Sequence, residues 1–113
     1  MRLFPTALLL ALAIPAAAHA ASFDCGRART PDEKAVCAFR PLNDKDVRMS
    51  ALYEVNKRTL AMGGRGALMD AQQQWLRDRR SCGANRACLT RAYDRRLGEL
   101  ERGLERIYRN GPF

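Results

Sequence analysis

The sequence predicts a small all-α domain stabilised by disulfides, with two long antiparallel helical arms and a short N-terminal helix. Three observations carry this expectation. Four cysteines, Cys25, Cys37, Cys82 and Cys88, follow a leader of the export type. Apolar residues recur at helical spacing along the chain from residue 31 to residue 109. No stretch alternates with the period of a strand.

The leader comes first. Met1 and Arg2 give a positive start, Leu3 to Ile14 is mostly apolar and too short to span a bilayer, and Ala18-His19-Ala20 presents small residues to signal peptidase. Residues 1–20 are therefore expected to be a cleaved signal peptide, and 21–113 a single domain in the periplasm or the medium. In such a compartment cysteines pair, and four of them allow three connectivities. Cys25–Cys37 with Cys82–Cys88 is preferred, because each closes a short loop at an expected helix end. Zinc is the alternative, although neither spacing is a tight C-x-x-C pair and the only histidine, His19, leaves with the leader. A core of this size is marginal by itself, and each disulfide adds roughly 2–4 kcal/mol.

The elements follow in order. Thr30-Pro31-Asp32-Glu33 fits a capping box with proline at the first helical position, and predicts a short helix from Pro31 to about Phe39, ended by Pro41. A second helix is expected from Leu42 or Asn43 to Met62, with Leu42, Met49, Tyr53 and Leu60 on one face and Asp46 and Asn56 among them. Gly63-Gly64-Arg65-Gly66 is the clearest break. The third helix, from Gly66 or Ala67 to Arg80, buries Leu68, Trp75 and Leu76. A turn at Ser81 to Asn85 leads to the fourth, from about Ala87 to Arg109, which buries Leu89, Tyr93, Leu97, Leu100, Leu104 and Ile107. Asn110-Gly111-Pro112 stops it. Trp75 and Tyr93 read as core; Tyr108 and Phe113 read as exposed.

Without His19 the exported chain has no imidazole base, no histidine-activated nucleophile and no histidine metal site, so no cofactor or metal is expected. Loss of Arg2 leaves 19 Lys and Arg against 12 Asp and Glu, a net charge of +7, and sixteen of those cations are arginine. Such a charge attracts anionic surfaces and also confers solubility.

Two constellations stand out. Asp46, Gln72, Arg79 and Arg96 lie on or beside apolar faces, where a charge is costly unless paired. A bridge from Asp46 to the forked guanidinium of Arg79 or Arg96 is the expected solution; arginines reaching from the core edge to water are the alternative. Arg91, Arg95, Arg102, Arg106 and Arg109 fall within about a 60° arc of the last helix, opposite Leu100, and form a candidate anion-binding stripe or an ordinary solvated face. No aromatics interleave with the stripe, which argues against nucleic acid.

The order of these features resembles the LprI-type lysozyme inhibitor family. Phe23-Asp24-Cys25 and Glu33-Lys34-Ala35-Val36-Cys37 match its two leading cysteine boxes. Leu42, Asp46, Met49 and Tyr53 resemble its L-x-x-x-D-x-x-(apolar)-x-x-x-Y helix. Gln72, Trp75, Leu76, Arg79 and Cys82 look like its Q-x-x-W-L-x-x-R-x-x-C segment, and Cys88-Leu89, Tyr93 and Arg96 complete the pattern. The resemblance covers nearly the whole exported chain. It departs at Lys45, where the family often has an apolar residue, and in the short glycine-rich turn. Ser22-Phe23-Asp24 before Cys25 is not a lipobox, so free export is expected.

The resemblance implies a protein that binds and inhibits lysozyme stoichiometrically, without chemistry. Many lysozymes are strongly basic, so a +7 partner needs a local acidic patch; Asp44, Asp46 and Glu54, or Glu99, Glu101 and Glu105, are the candidates. An anionic envelope polymer, lipid headgroup or acidic protein held by the arginine stripe is the alternative partner. A carboxylate-based envelope hydrolase is the third reading.

Overall fold

A computed structural model describes residues 21–111; the expected signal peptide, Pro112 and Phe113 lie outside the described residues. A single 3-10 turn, Cys25–Arg27, precedes four helices: α1 Pro31–Ala38, α2 Arg40–Thr59, α3 Met62–Ser81 and α4 Arg86–Asn110. The described residues contain no strand. Both preferred disulfides are present, with Cα–Cα distances of 5.8 Å for Cys25–Cys37 and 5.5 Å for Cys82–Cys88, so no thiol is left for zinc. They accord with an oxidising compartment. No helix among the described residues is long and apolar enough to cross a membrane.

The helices run up, down and up. α3 is antiparallel to α4: Trp75 Nε1 donates to the Ala92 carbonyl at 2.9 Å, and Arg96 Nε to Gln72 Oε1 at 2.9 Å. The most extensive packing, however, is between α2 and α4, which are parallel. Tyr93 reaches back to Asp46 near the start of that pair, and Asn56 Nδ2 donates to the Leu100 carbonyl at 3.1 Å further along. A Cβ at Gly103 would stand 2.8 Å from Asn56 Oδ1, so this close approach requires glycine. α1 lies across the other end, with Val36 fully buried against the core of Leu42, Met49, Trp75, Leu89, Tyr93, Leu97 and Leu100. Leu68, Leu76 and Tyr53 flank this cluster half-buried, as Leu60 and Leu104 also are.

Two expected boundaries move. Pro41 does not terminate α1; it sits in the first turn of α2, where its missing N–H costs nothing. The chain breaks instead at Phe39, an extended residue that ends one helix and starts the next. The glycine run is likewise not a break. It forms the first turns of α3, and the chain turns at Leu60 and Ala61, both extended. Glycine permits a turn without forcing one, and here Arg65 ties the corner: its Nε donates to the Lys57 carbonyl at 2.9 Å and its Nη2 to Leu60 at 3.3 Å, satisfying the open end of α2. Gly83 is the one described residue with positive φ, +56°, in the turn between α3 and α4.

This correction has a measurable consequence. An added Cβ meets nothing within 4 Å at Gly63 or Gly66, and both are helical. Gly63→Ala with Gly66→Ala should therefore stabilise the protein by about 0.5–1 kcal/mol per site, a rise in Tm of several degrees. An unchanged or lower Tm in a calorimetric scan would return the segment to a turn.

Candidate functional site

At the disulfide end the buried polar groups form one chain of contacts. Arg79, on α3, donates from Nε to Asp32 Oδ2 at 2.9 Å and from Nη1 to the Tyr93 hydroxyl at 3.3 Å. The Tyr93 hydroxyl in turn donates to Asp46 Oδ1 at 2.7 Å. The backbone N–H of Ser22 donates to Asp46 Oδ2, also at 2.7 Å. Phe23 and Trp75 place their rings 5.5 and 5.7 Å from the Arg79 guanidinium, and Trp75 meets Tyr93 edge-on at 4.9 Å. The expected Asp46–Arg79 bridge is present only as a 3.7 Å ion pair. The short bond of Arg79 goes to Asp32, a residue the sequence reading places at a helix start and not in the core. Asp32 is 1% exposed, because it lies one helical turn before Val36 and shares its face. That spacing was the available signal.

The electrostatics follow from burial. Desolvation pushes the Asp32 pKa up, but donors to the carboxylate and the charge of Arg79 outweigh it and hold the group below its usual range. Burial and the neighbouring Asp46 carboxylate push the Tyr93 hydroxyl well above its usual value, so it stays a neutral donor. Asp32 Oδ1 has no hydrogen-bond partner among the described residues.

Gln72 and Arg96 form a second, separate group. Gln72 Nε2 approaches Met49 Sδ at 3.2 Å while its carbonyl oxygen accepts from Arg96, and Arg96 Nη1 reaches Glu99 at 3.0 Å. Neither arginine escapes to water: Arg79 is 8% and Arg96 3% exposed. The four residues expected as one network thus belong to two.

Beyond Arg96 the two arms part. A groove of about 780 Å³ opens between the end of α2, the first half of α3 and the last half of α4. Leu60, Leu68, Leu100 and Ile107 give it apolar walls, and Gly64, Ala67 and Ala71 keep the α3 side shallow. Arg96, Glu99 and Arg106 are the charged residues of its lining, and Glu99 is the one carboxylate among them. The sequence reading missed this feature because it placed 63–66 in a loop, which hid the small-residue face of α3.

The arginine stripe is exposed throughout, but it is not a uniform cationic face. Arg95 pairs with Asp78 and Arg109 with Glu105, each at 3.3 Å. The Arg102 guanidinium lies back over Gly98. No ion pair engages Arg91, Arg102 or Arg106 among the described residues. The acidic patches are also altered. Asp46 is 0% exposed and so cannot contribute to a surface patch with Asp44 and Glu54. Glu99, Glu101 and Glu105 are each held by an arginine: Arg96, Arg48 and Arg109. No group of His, Cys, Asp and Glu among the described residues could hold a metal ion.

Comparison with known proteins returns no match: no family model, curated protein or solved structure aligns significantly with the chain.

Proposed function

We propose that this chain is an exported binding protein that inhibits lysozyme by stoichiometric contact, with no reaction of its own. One observation supports the reading above the others. The residues that carry the resemblance to the LprI-type inhibitors converge: Asp46, Arg79 and Tyr93 in one hydrogen-bonded cluster, Trp75 packed against Arg79 and Tyr93 by its ring, and Gln72 with Arg96 in a neighbouring pair. This is what a common scaffold requires, and it leaves partner contact to the exposed residues. The most buried carboxylates, Asp32 and Asp46, are committed to this cluster and lie outside the groove, which favours binding over carboxylate-pair hydrolysis.

A second reading, capture of an anionic envelope component, is favoured by the freedom of Arg91, Arg102 and Arg106 from ion pairs. Salt separates the two. Inhibition of acidic and basic lysozymes by the oxidised protein, at low and high salt, should be saturable near one to one. Against a basic lysozyme, association should be faster at high salt, where long-range repulsion is screened. No inhibition of any lysozyme, with binding to anionic polymer that collapses at high salt, would replace the first reading with the second.

A further inference from the structure

We propose that removal of the signal peptide completes the buried polar cluster: the α-ammonium that cleavage creates at Ala21 pairs with Asp46, so the exported domain is more stable than its precursor. This goes beyond the lysozyme reading. It rests instead on cleavage between Ala20 and Ala21, which the small residues Ala18 and Ala20 predict.

The cluster at the disulfide end carries an excess of negative charge. Asp32 and Asp46 are 1% and 0% exposed, and Arg79 is the one cation paired with either among the described residues, at 2.9 Å from Asp32 and 3.7 Å from Asp46. Two carboxylates thus share one guanidinium. The other donors to Asp46 are neutral: the Tyr93 hydroxyl and the Ser22 N–H, each at 2.7 Å. A carboxylate taken out of water is costly unless an opposite charge compensates it. The side chains next in sequence do not supply that charge. Lys45 is turned to Asp94, and Arg27 pairs with the exposed Asp24.

The main chain brings a new cation within reach. Covalent geometry keeps successive backbone nitrogens within about 3.7 Å, so the Ala21 nitrogen lies no more than about 6.4 Å from Asp46 Oδ2, the acceptor of the Ser22 N–H. In the precursor that nitrogen is an uncharged amide. After cleavage it carries a full positive charge below its ordinary pKa of about 7.7–8.0. The segment that bears it is held in place. Ala21 and Phe23 pack half-buried against the core, the Phe23 ring lies 5.5 Å from the Arg79 guanidinium, and the Cys25–Cys37 bridge anchors the far end. Rotation about the Ala21 Cα–C bond sets the ammonium against Oδ2, directly or across one water. The charged and titratable groups of the cluster are Asp46 from α2, Asp32 from α1, Arg79 from α3 and Tyr93 from α4. Arg79 opposes a second cation, but the two carboxylates outnumber it, and Tyr93 stays neutral.

The neighbouring carboxylate raises the pKa of the amine. The pair therefore contributes fully below the ordinary value, and its contribution is lost as the pH rises through the raised one. The test compares the disulfide-intact exported protein, its amino terminus established by intact mass, with the same protein acetylated at the α-amine in mild acid, where Lys34, Lys45 and Lys57 stay protonated. The acetyl group restores the amide of the precursor, so the comparison isolates charge from bulk. Acetylation should lower Tm by several degrees at pH 7, and the two melts should converge as the pH is raised past the titration of the amine. An NMR titration of Ala21 should place its amine above the ordinary range by about one unit or more. In Asp46→Asn, acetylation should no longer change Tm; if that variant does not fold, the NMR titration of the parent decides. Equal melting of the free and acetylated proteins at pH 7, an amine that titrates in the ordinary range, or an amino terminus other than Ala21 would overturn the proposal.

Discussion

Arg79→Ala should cost about 3–5 kcal/mol of stability, the range for breaking a buried ion pair from one side. The loss exceeds that of a surface arginine because of what remains. Asp32 keeps its carboxylate 1% exposed with its short donor gone, and Asp46, at 0% exposure, loses the cation at 3.7 Å. Tyr93 also loses the bond to its hydroxyl. Arg79→Lys should fall between, since one ammonium retains the charge but cannot reproduce the fork that reaches Asp32 and Tyr93 together. Chemical denaturation of the three proteins at pH 7 measures this directly. A loss under 1 kcal/mol in Arg79→Ala would mean that water already satisfies the carboxylates.

The pH dependence carries the sign. In the parent, the Asp32 pKa lies below its ordinary value of 3.8, so its contribution is complete above that pH and disappears as acid protonates the folded state. Stability should therefore fall below about pH 4. In Arg79→Ala the carboxylate has burial without the guanidinium, which raises its pKa, so acidification relieves the defect. The difference between the two proteins should be largest at neutral pH and shrink towards pH 3. A difference that stays constant across that range would place the cost in lost packing around the guanidinium stem, not in charge.

How much of this was legible depends on whether a residue's role is set by its own helix. Leu42, Met49, Leu89, Tyr93, Leu97 and Leu100 declare their faces by spacing alone, and all are buried. The cysteine pairing follows from short loops at helix ends. Arg79 and Asp46 were recognisable as charges on apolar faces, but the identity of a partner depends on how three helices meet. Asp32 illustrates the difficulty: one carboxylate satisfies both the rule for a helix start and the need of a buried arginine on another helix, and sequence rules reward the local role first. The parallel course of α2 along α4 is legible only after both turns are located, and one was misplaced. Glycine density marked 63–66 as the corner, whereas the chain turns at Leu60 and Ala61, where side-chain capping by Arg65 settles the geometry. The groove depends on the same error, since its α3 wall begins at that corner.

Removing the Cys25–Cys37 disulfide should destabilise the protein more than removing Cys82–Cys88. Loop closure alone separates them little: sequence separations of 12 and 6 correspond to about 3 and about 2.4 kcal/mol of denatured-state constraint. The difference arises from what each clamp holds. Cys25 fixes the segment that brings the Ser22 N–H to Asp46 and the Phe23 ring over Arg79. Opening that bridge frees both groups and exposes the buried cluster to water, so the loss extends beyond entropy. The turn closed by Cys82–Cys88 has other supports, since Asn85 caps α4 by accepting from the Cys88 N–H at 2.9 Å and Gly83 supplies the positive φ. Double alanine variants of each pair, melted side by side, should show the larger drop in Tm for Cys25→Ala with Cys37→Ala. Loss of both bridges removes about 5 kcal/mol or more from a total that is usually 5–15 kcal/mol, so the reduced protein should be largely unfolded at 37 °C. If the Cys82–Cys88 variant is the less stable of the two, the N-terminal segment does not clamp the cluster, and the Asp46 contacts with Tyr93 and Arg79 suffice without it.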